Sequence, residues 1–157
     1  MFCENISTPI GTLSIEASDN NVFAIKFLPG LERPNHLTNA CKRQLAEYFR
    51  GERQQFDIPL DFRGTKFQKI VWEELLRVEF SETASYSDIA ARIGRPNSQR
   101  AVGGANHRNP LPIIVPCHRI IGKKKSLVGY AFGLECKAWL LGHEKEIANK
   151  NNALVDV

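Results

Sequence analysis

The spacing of apolar residues changes once along this chain, and that change limits what it can fold into. In "TLSIEAS" and "VFAIKFL", residues 12–18 and 22–28, apolar and polar side chains alternate. Alternation places every second side chain on one face of a strand, and the intervening "DNN" is a turn. The two runs predict a β-hairpin within a strand-like first 30 residues. In "HLTNACKRQLAEYFRGE" the spacing becomes helical: Leu37, Cys41, Leu45 and Tyr48/Phe49 share one stripe, and Gly51 stops it. "LPGLERPN" separates the two patterns, and "FDIPLDF" is a short extended piece.

From residue 65 onward the helical spacing dominates. "TKFQKIVWEELLRV" sets Phe67, Ile70, Val71, Leu75 and Val78 behind a threonine cap. "SYSDIAARIG" is a short helix capped by Ser85 or Ser87 and ended at Gly94, and "SQRAVGGANHR" is another. Two short helices joined by a glycine-containing turn are the signature of a helix-turn-helix. A last amphipathic helix, "ECKAWLLGHEKEIA", precedes a tail, "NKNNALVDV", expected to fray. The expected class is α+β. A small N-terminal α/β domain (hairpin plus helix) would span residues 1–62. A mostly helical, helix-turn-helix or winged-helix-like domain would span 63–150.

The 157 residues are enough to bury a core, and 43% apolar with 24% charged residues is a soluble globular composition. No apolar run approaches the roughly 20 residues of a membrane span. "MFCENISTPIG" lacks a basic segment followed by an apolar one, so no signal peptide is expected. The expected compartment is the cytoplasm, and the nucleus as well in a eukaryote. Charge is distributed unevenly. Residues 1–62 hold six Lys/Arg and eight Asp/Glu, whereas residues 89–134 hold eight Lys/Arg and no acid. A face without acids suits a polyanion, because each phosphate contact releases counterions that a carboxylate would retain.

The chemistry concentrates in "IIVPCHRIIG", where Cys117, His118 and Arg119 end an aliphatic run. A thiol attacks as thiolate, and neighbouring cations lower its pKa. In extended chain His118 would point away from Cys117, so the pair requires a sharp turn or a bridging water, and Pro116 suits the start of a helix there. A histidine also requires a partner to hold its tautomer. The acid-free window forces that partner to come from elsewhere: Glu144 in the last helix, with Glu135 and Asp88 as rivals. Asn109-Pro110 marks a turn, and the Asn109 amide could tie the third helix to the cysteine segment. That helix offers Ala101, Val102, Gly103, Gly104 and Ala105, with Arg100 as its one long side chain. Such a surface permits close approach to a narrow groove but reads little sequence, and it equally suits tight helix packing. Tyr86 and Tyr130 could stack on a base or donate through their hydroxyls. Cys3, Cys41 and Cys136 read as core fillers. Cys3, His36 and Cys41 make no convincing four-ligand set, so neither metal nor other cofactor is expected.

Taken together, "GTKFQKIVWEELLRV", "SYSDIAARIGRPNSQRAVGGANHRNP", "PCHRI", "LVGYAFG" and "KAWLLGHE" resemble the O6-alkylguanine-DNA alkyltransferase family over about residues 64–144. The resemblance implies DNA repair by direct reversal: irreversible transfer of an alkyl group from O6-alkylguanine, and from O4-alkylthymine, to Cys117. It implies His118 as general base through a water, Glu144 as its orienting partner, and Tyr86 as a donor that helps rotate the nucleotide. It implies Arg100 as the finger that replaces the flipped base and Asn109 as a brace. Backbone at Cys117, Ile120 and around Ala131 would read the guanine edge. The implied partner is double-stranded DNA, bound as a monomer through the minor groove. Three departures stand out. "EFSET" (79–83) replaces Pro-Tyr-Gly-Glu-Thr and is expected to alter only the turn. Phe132 replaces a glycine and would narrow the pocket or stack on a bulky alkyl group. Lys125 or Ser126 stands where a glycine is expected. Competing readings are a non-catalytic alkyl-lesion binder of the same fold, a helix-turn-helix regulator and a cysteine hydrolase.

Overall fold

The computed structural model of the chain describes residues 1–122 and 130–155. The basic turn Lys123–Lys125, Ser126 and the start of "LVGYAFG" lie outside the described residues. The chain divides into two compact units, residues 1–64 and 65–157.

In the first unit the hairpin gains a third strand. Strands β1 (Phe2–Thr8), β2 (Gly11–Ala17) and β3 (Val22–Lys26) form an antiparallel sheet in that order. Leu13, Ile15 and Ala17 of β2 are fully buried. Helix α1 (His36–Phe49) packs on β1 and β2 through Leu37, Cys41, Leu45 and Tyr48, the stripe its spacing requires. Asn35 caps it, accepting from the Leu37 and Thr38 amides. The extended "FDIPLDF" piece runs beside β3: Val22 N–H donates to the Pro59 carbonyl, and Asp61 N–H donates to the Val22 carbonyl. Cys3 and Cys41 are buried, and a Cβ at Gly30 would fall 2.7 Å from the Cys3 sulfur, so Cys3 fills the core tightly.

The second unit is helical. Helix α2 (Lys66–Leu75) starts at a capping box between Thr65 and Gln68 and ends before Val78, which is buried beyond its C-terminus. A two-residue strand β4 (Ala84–Ser85) leads directly into α3 (Tyr86–Arg92). Ser85, not Ser87, caps α3, in a box with Asp88. Helix α4 (Gln99–His107) follows, with Gly94 at φ 76 in the turn between them. Trp72 of α2 lies fully buried against α4 and donates its Nε1–H to the Ala105 carbonyl at 2.8 Å. After α4 the aliphatic run is a set of buried turns rather than a strand, leading to a 3-10 turn at Cys117–Arg119 and strand β5 (Ile120–Ile121). Strand β5 pairs parallel with β4. The last helix, α5 (Leu134–Val155), runs through most of the segment expected to fray. None of the described helices is long and apolar enough to cross a membrane.

Trp72 joins α2 to α4 by both ring and hydrogen bond, so Trp72→Ala removes a core side chain and strands no new charge. It should cost about 3–5 kcal/mol in urea unfolding followed by circular dichroism. A cost near zero would mean that the helix pair is not held there.

Candidate active site and nucleic-acid face

The cysteine turn is braced from the residues at and just beyond the end of α4. Asn109 Nδ2 donates to the Val115 carbonyl at 2.8 Å, and its Oδ1 accepts from the Leu111 amide at 2.9 Å. Between those two points Ile113 adopts φ 76, a strained conformation for a β-branched residue. The brace thus spans the strain. Asn106, in the last turn of α4, donates to the Cys117 carbonyl at 3.4 Å and also bonds the Tyr86 side chain. The 3-10 turn that begins after Pro116 is the sharp bend that the Cys117-His118 pair requires.

Cys117 is buried, and burial pushes its thiol up to about 11. Side-chain hydrogen bonds from Asn109 and Tyr130, and the charge of Lys137, recover part of that penalty. The resting group is therefore a thiol. Arg119 does not hold it as thiolate, contrary to the expectation from its neighbours: its guanidinium turns away to Glu144.

Glu144 is the centre of the buried network. His118 Nε2 lies 2.7 Å from Glu144 Oε2. Arg119 Nε donates to Oε1 at 2.9 Å and Nη2 to Oε2 at 3.0 Å, a bidentate fork. The Ser81 amide donates to Oε1 at 3.0 Å. His118 and Glu144 are both fully buried. The rivals are placed elsewhere: Asp88 accepts from the Ser85 amide, and Glu135 is exposed in the first turn of α5. Donors hold the Glu144 carboxyl far below the usual range despite its burial, while burial pushes His118 down. A neutral His118 that donates from Nε2 to the carboxylate leaves Nδ1 as a base. That atom is buried and has no protein hydrogen-bond partner among the described residues.

Lys137 belongs to the site although the sequence did not single it out. It is fully buried, donates to the Ile120 carbonyl, and places its charge near Cys117. It lies on the inner stripe of α5 with Leu140 and Glu144, and a lysine within a core stripe is the signal that could have found it. Asn106 similarly continues the buried stripe Val102, Ala105 and Asn106.

The candidate DNA-facing residues fall on α3 and α4. Arg100, Ala101 and Gly104 are exposed, and Gly103 is half-buried beside the Tyr86 ring. Tyr86 is half-buried, and desolvation raises its hydroxyl pKa, so it remains a donor. Tyr130 is buried beside Cys117 and carries Phe132 edge-on at 5.4 Å. Ala131 is exposed, and Ile120 lies in β5. Among the described residues no group of three or more His, Cys, Asp and Glu could hold a metal ion.

Fold and site together define a helix-turn-helix unit that carries a buried cysteine, followed directly in the chain by a histidine bonded to a buried carboxylate. Residues 66–146 match the DNA-binding domain of 6-O-methylguanine DNA methyltransferase, and residues 1–62 match its ribonuclease-like domain. A methylated-DNA–protein-cysteine methyltransferase of Methanosarcina barkeri is 40% identical over 92% of this chain and 98% of its own length. The constitutive enzyme of that name from Bacillus subtilis is 55% identical over 73% of this chain and 68% of its own. The crystal structure of Mycobacterium tuberculosis OGT in complex with DNA superposes with a TM-score of 0.88 at 39% identity, covering 94% of each chain. The chain belongs to the methylated-DNA–protein-cysteine methyltransferase family.

Both His118 and Glu144 hold protons less readily folded than unfolded, so acid should destabilise in two steps. Their folded values are depressed. Each contributes stability that is present above its unfolded value and lost as pH falls below it, from about 6.5 for His118 and about 4.5 for Glu144. Urea midpoints measured between neutral and acid pH should fall first in the histidine range and more steeply in the carboxylate range. Stability rising on acidification through the histidine range would contradict this network.

Proposed function

We propose that this protein repairs DNA by direct reversal, moving the alkyl group of O6-alkylguanine onto Cys117 in a single irreversible turnover. The observation that carries the reading is a buried thiol followed directly in the chain by a carboxylate-held histidine with an open Nδ1, on a helix-turn-helix unit of this family. His118 accepts the thiol proton at Nδ1 through a bridging water, while Glu144 holds the ring by its other nitrogen. The thiolate attacks the alkyl carbon. The S–C bond forms as the C–O6 bond breaks, and the guanine that leaves gains the negative charge that a nearby donor stabilises. Tyr86, kept protonated by burial, donates toward N3 of the base and helps to rotate the nucleotide. Lys137 stabilises the sulfur while it is charged, a role that vanishes once the thioether forms.

The DNA reading follows from the acid-free stretch 89–134 and the small-residue face of α4. That face suits the minor groove of double-stranded DNA, where Ala101 and Gly103 allow close approach and Arg100 fills the space of the extruded base. Asn109 braces the cysteine turn against α4. Backbone at Cys117, Ile120 and Ala131 reads the guanine edge. Phe132, packed on Tyr130, shapes the mouth for the alkyl group. O4-alkylthymine presents a similar alkylated oxygen and belongs to the same substrate class. The protein acts as a monomer, in the cytoplasm, and in the nucleus too in a eukaryote.

Intact-protein mass spectrometry with a duplex carrying one O6-methylguanine should show one added methyl per protein. Peptide mapping should place it on Cys117, and Cys117→Ala should take up none. Tight lesion binding without a mass change would instead indicate a non-catalytic recognition protein. His118→Asn should slow single-turnover transfer by about 10²–10⁴-fold with little change in DNA affinity, since it removes a base and no DNA contact.

A further inference from the structure

We infer that the turn Val78–Ser81 is a positioning element of the alkyl-transfer site, in which the Ser81 N–H aims the Glu144 carboxylate at His118. The inference rests on the reading of function above. The turn was expected to differ from the family pattern without consequence for the site, yet it meets the network at three points. Arg119 Nη1 donates to the Val78 carbonyl at 2.7 Å. The Arg119 guanidinium lies 5.7 Å from the Phe80 ring centre. The Ser81 amide donates to Glu144 Oε1 across 63 positions of sequence.

Backbone geometry shows that this last bond is not incidental. Ser81 has φ 66, one of two non-glycine residues with a positive φ among those described. The family pattern has glycine here. Serine retains the amide and accepts the left-handed strain, which costs a non-glycine residue stability. The turn itself closes through the Glu82 amide and the Glu79 carbonyl at 3.0 Å, which leaves the Ser81 N–H pointing outward to the carboxylate.

The donor count explains what the bond does. Glu144 Oε2 takes His118 and one Arg119 nitrogen, and Oε1 takes the other Arg119 nitrogen and Ser81. Two donors on each oxygen fix the carboxylate plane and divide its charge. Without the amide, Oε1 keeps Arg119 alone, and more of the carboxylate's charge falls on His118. The same turn feeds β4, which pairs with β5 beside the cysteine turn, and then Tyr86 at the start of α3. Ser81 therefore links the orientation of the base catalyst to the segment that delivers the DNA-facing helix.

The test removes one N–H and little else. The Ser81→Gly chain is made by nonsense suppression in two forms, one with glycine and one with glycolic acid, whose ester oxygen replaces the amide N–H. Methyl transfer from an O6-methylguanine duplex is followed in single turnover across pH, together with DNA affinity. The ester form should transfer about tenfold more slowly at saturating protein with equal DNA affinity, the loss of one hydrogen bond to a charged group. Its acid limb should move to higher pH, because His118 gains basicity from a less neutralised Glu144. Arg119 and Lys137, the other charged groups that act on His118, are the same in both forms. Equal rates and an unmoved limb would overturn the proposal, whereas a wild-type chain that transfers nothing would overturn the reading of function instead. Ser81→Gly itself should raise Tm by about 2–4 °C by releasing the strain; a lower Tm would contradict strained presentation. Should the ester form not fold, amide NMR of the wild-type chain decides. The Ser81 N–H must be protected from exchange and must shift with the His118 titration, and an amide exchanging as in free peptide overturns the proposal.

Discussion

Burying the Glu144 carboxylate imposes the constraint that the second unit is built around. A buried charge is tolerated only when its oxygens are filled by donors, and removing one partner costs far more than the pair contributes. Four donors fill this one: His118, two nitrogens of Arg119, and the amide of Ser81. They come from the cysteine turn and from the turn after α2, while the carboxylate comes from α5. Three segments distant in sequence are thereby held in one arrangement. Arg119 extends it by gripping the Val78 carbonyl, so its fork neutralises the carboxylate and fixes the turn with a single side chain. This neutralisation also gives the histidine its character. A carboxylate shared with a guanidinium attracts a proton on His118 weakly, burial prevails, and the ring stays neutral and able to accept.

Much of this was legible because some residue types have few structural uses in certain settings. A Cys-His pair after an aliphatic run, in a window without acids, demands a carboxylate from outside the window, and Glu144 meets that demand. Alternation in residues 12–28 and the stripe on α1 were legible for the same reason, since both faces of each element are specified by period alone. What stayed hidden depends on tertiary burial. Arg119 reads as a cation beside a thiol until the fold turns it toward α5. Lys137 stands in the core stripe of α5, but its place near Cys117 is set only when the helix is seated. The amide of Ser81 has no side-chain signature at all. The positive φ of Ile113 contradicts its β-branched character and is imposed by the Asn109 brace, so no local preference could disclose it.

The position of the thiol decides what kind of reagent this protein is. A cysteine held permanently as thiolate reacts with any electrophile that reaches it, and a protein that reacts once cannot recover from a wrong encounter. Burial answers that problem by setting the resting Cys117 well above neutral. Hydrogen bonding from Asn109 and Tyr130 and the charge of Lys137 are too weak to restore the thiolate at rest but are in place near the cysteine before the charge appears. Stabilisation prearranged for a transient charge accelerates the step without making the ground state reactive. On the proposed reaction, deprotonation then falls to His118, at the moment when a base carrying an alkyl group has displaced solvent from the pocket. On that proposed reaction, selectivity for alkylated DNA would follow from this order of events as much as from contacts to guanine, because the nucleophile would exist only while the substrate closes the site.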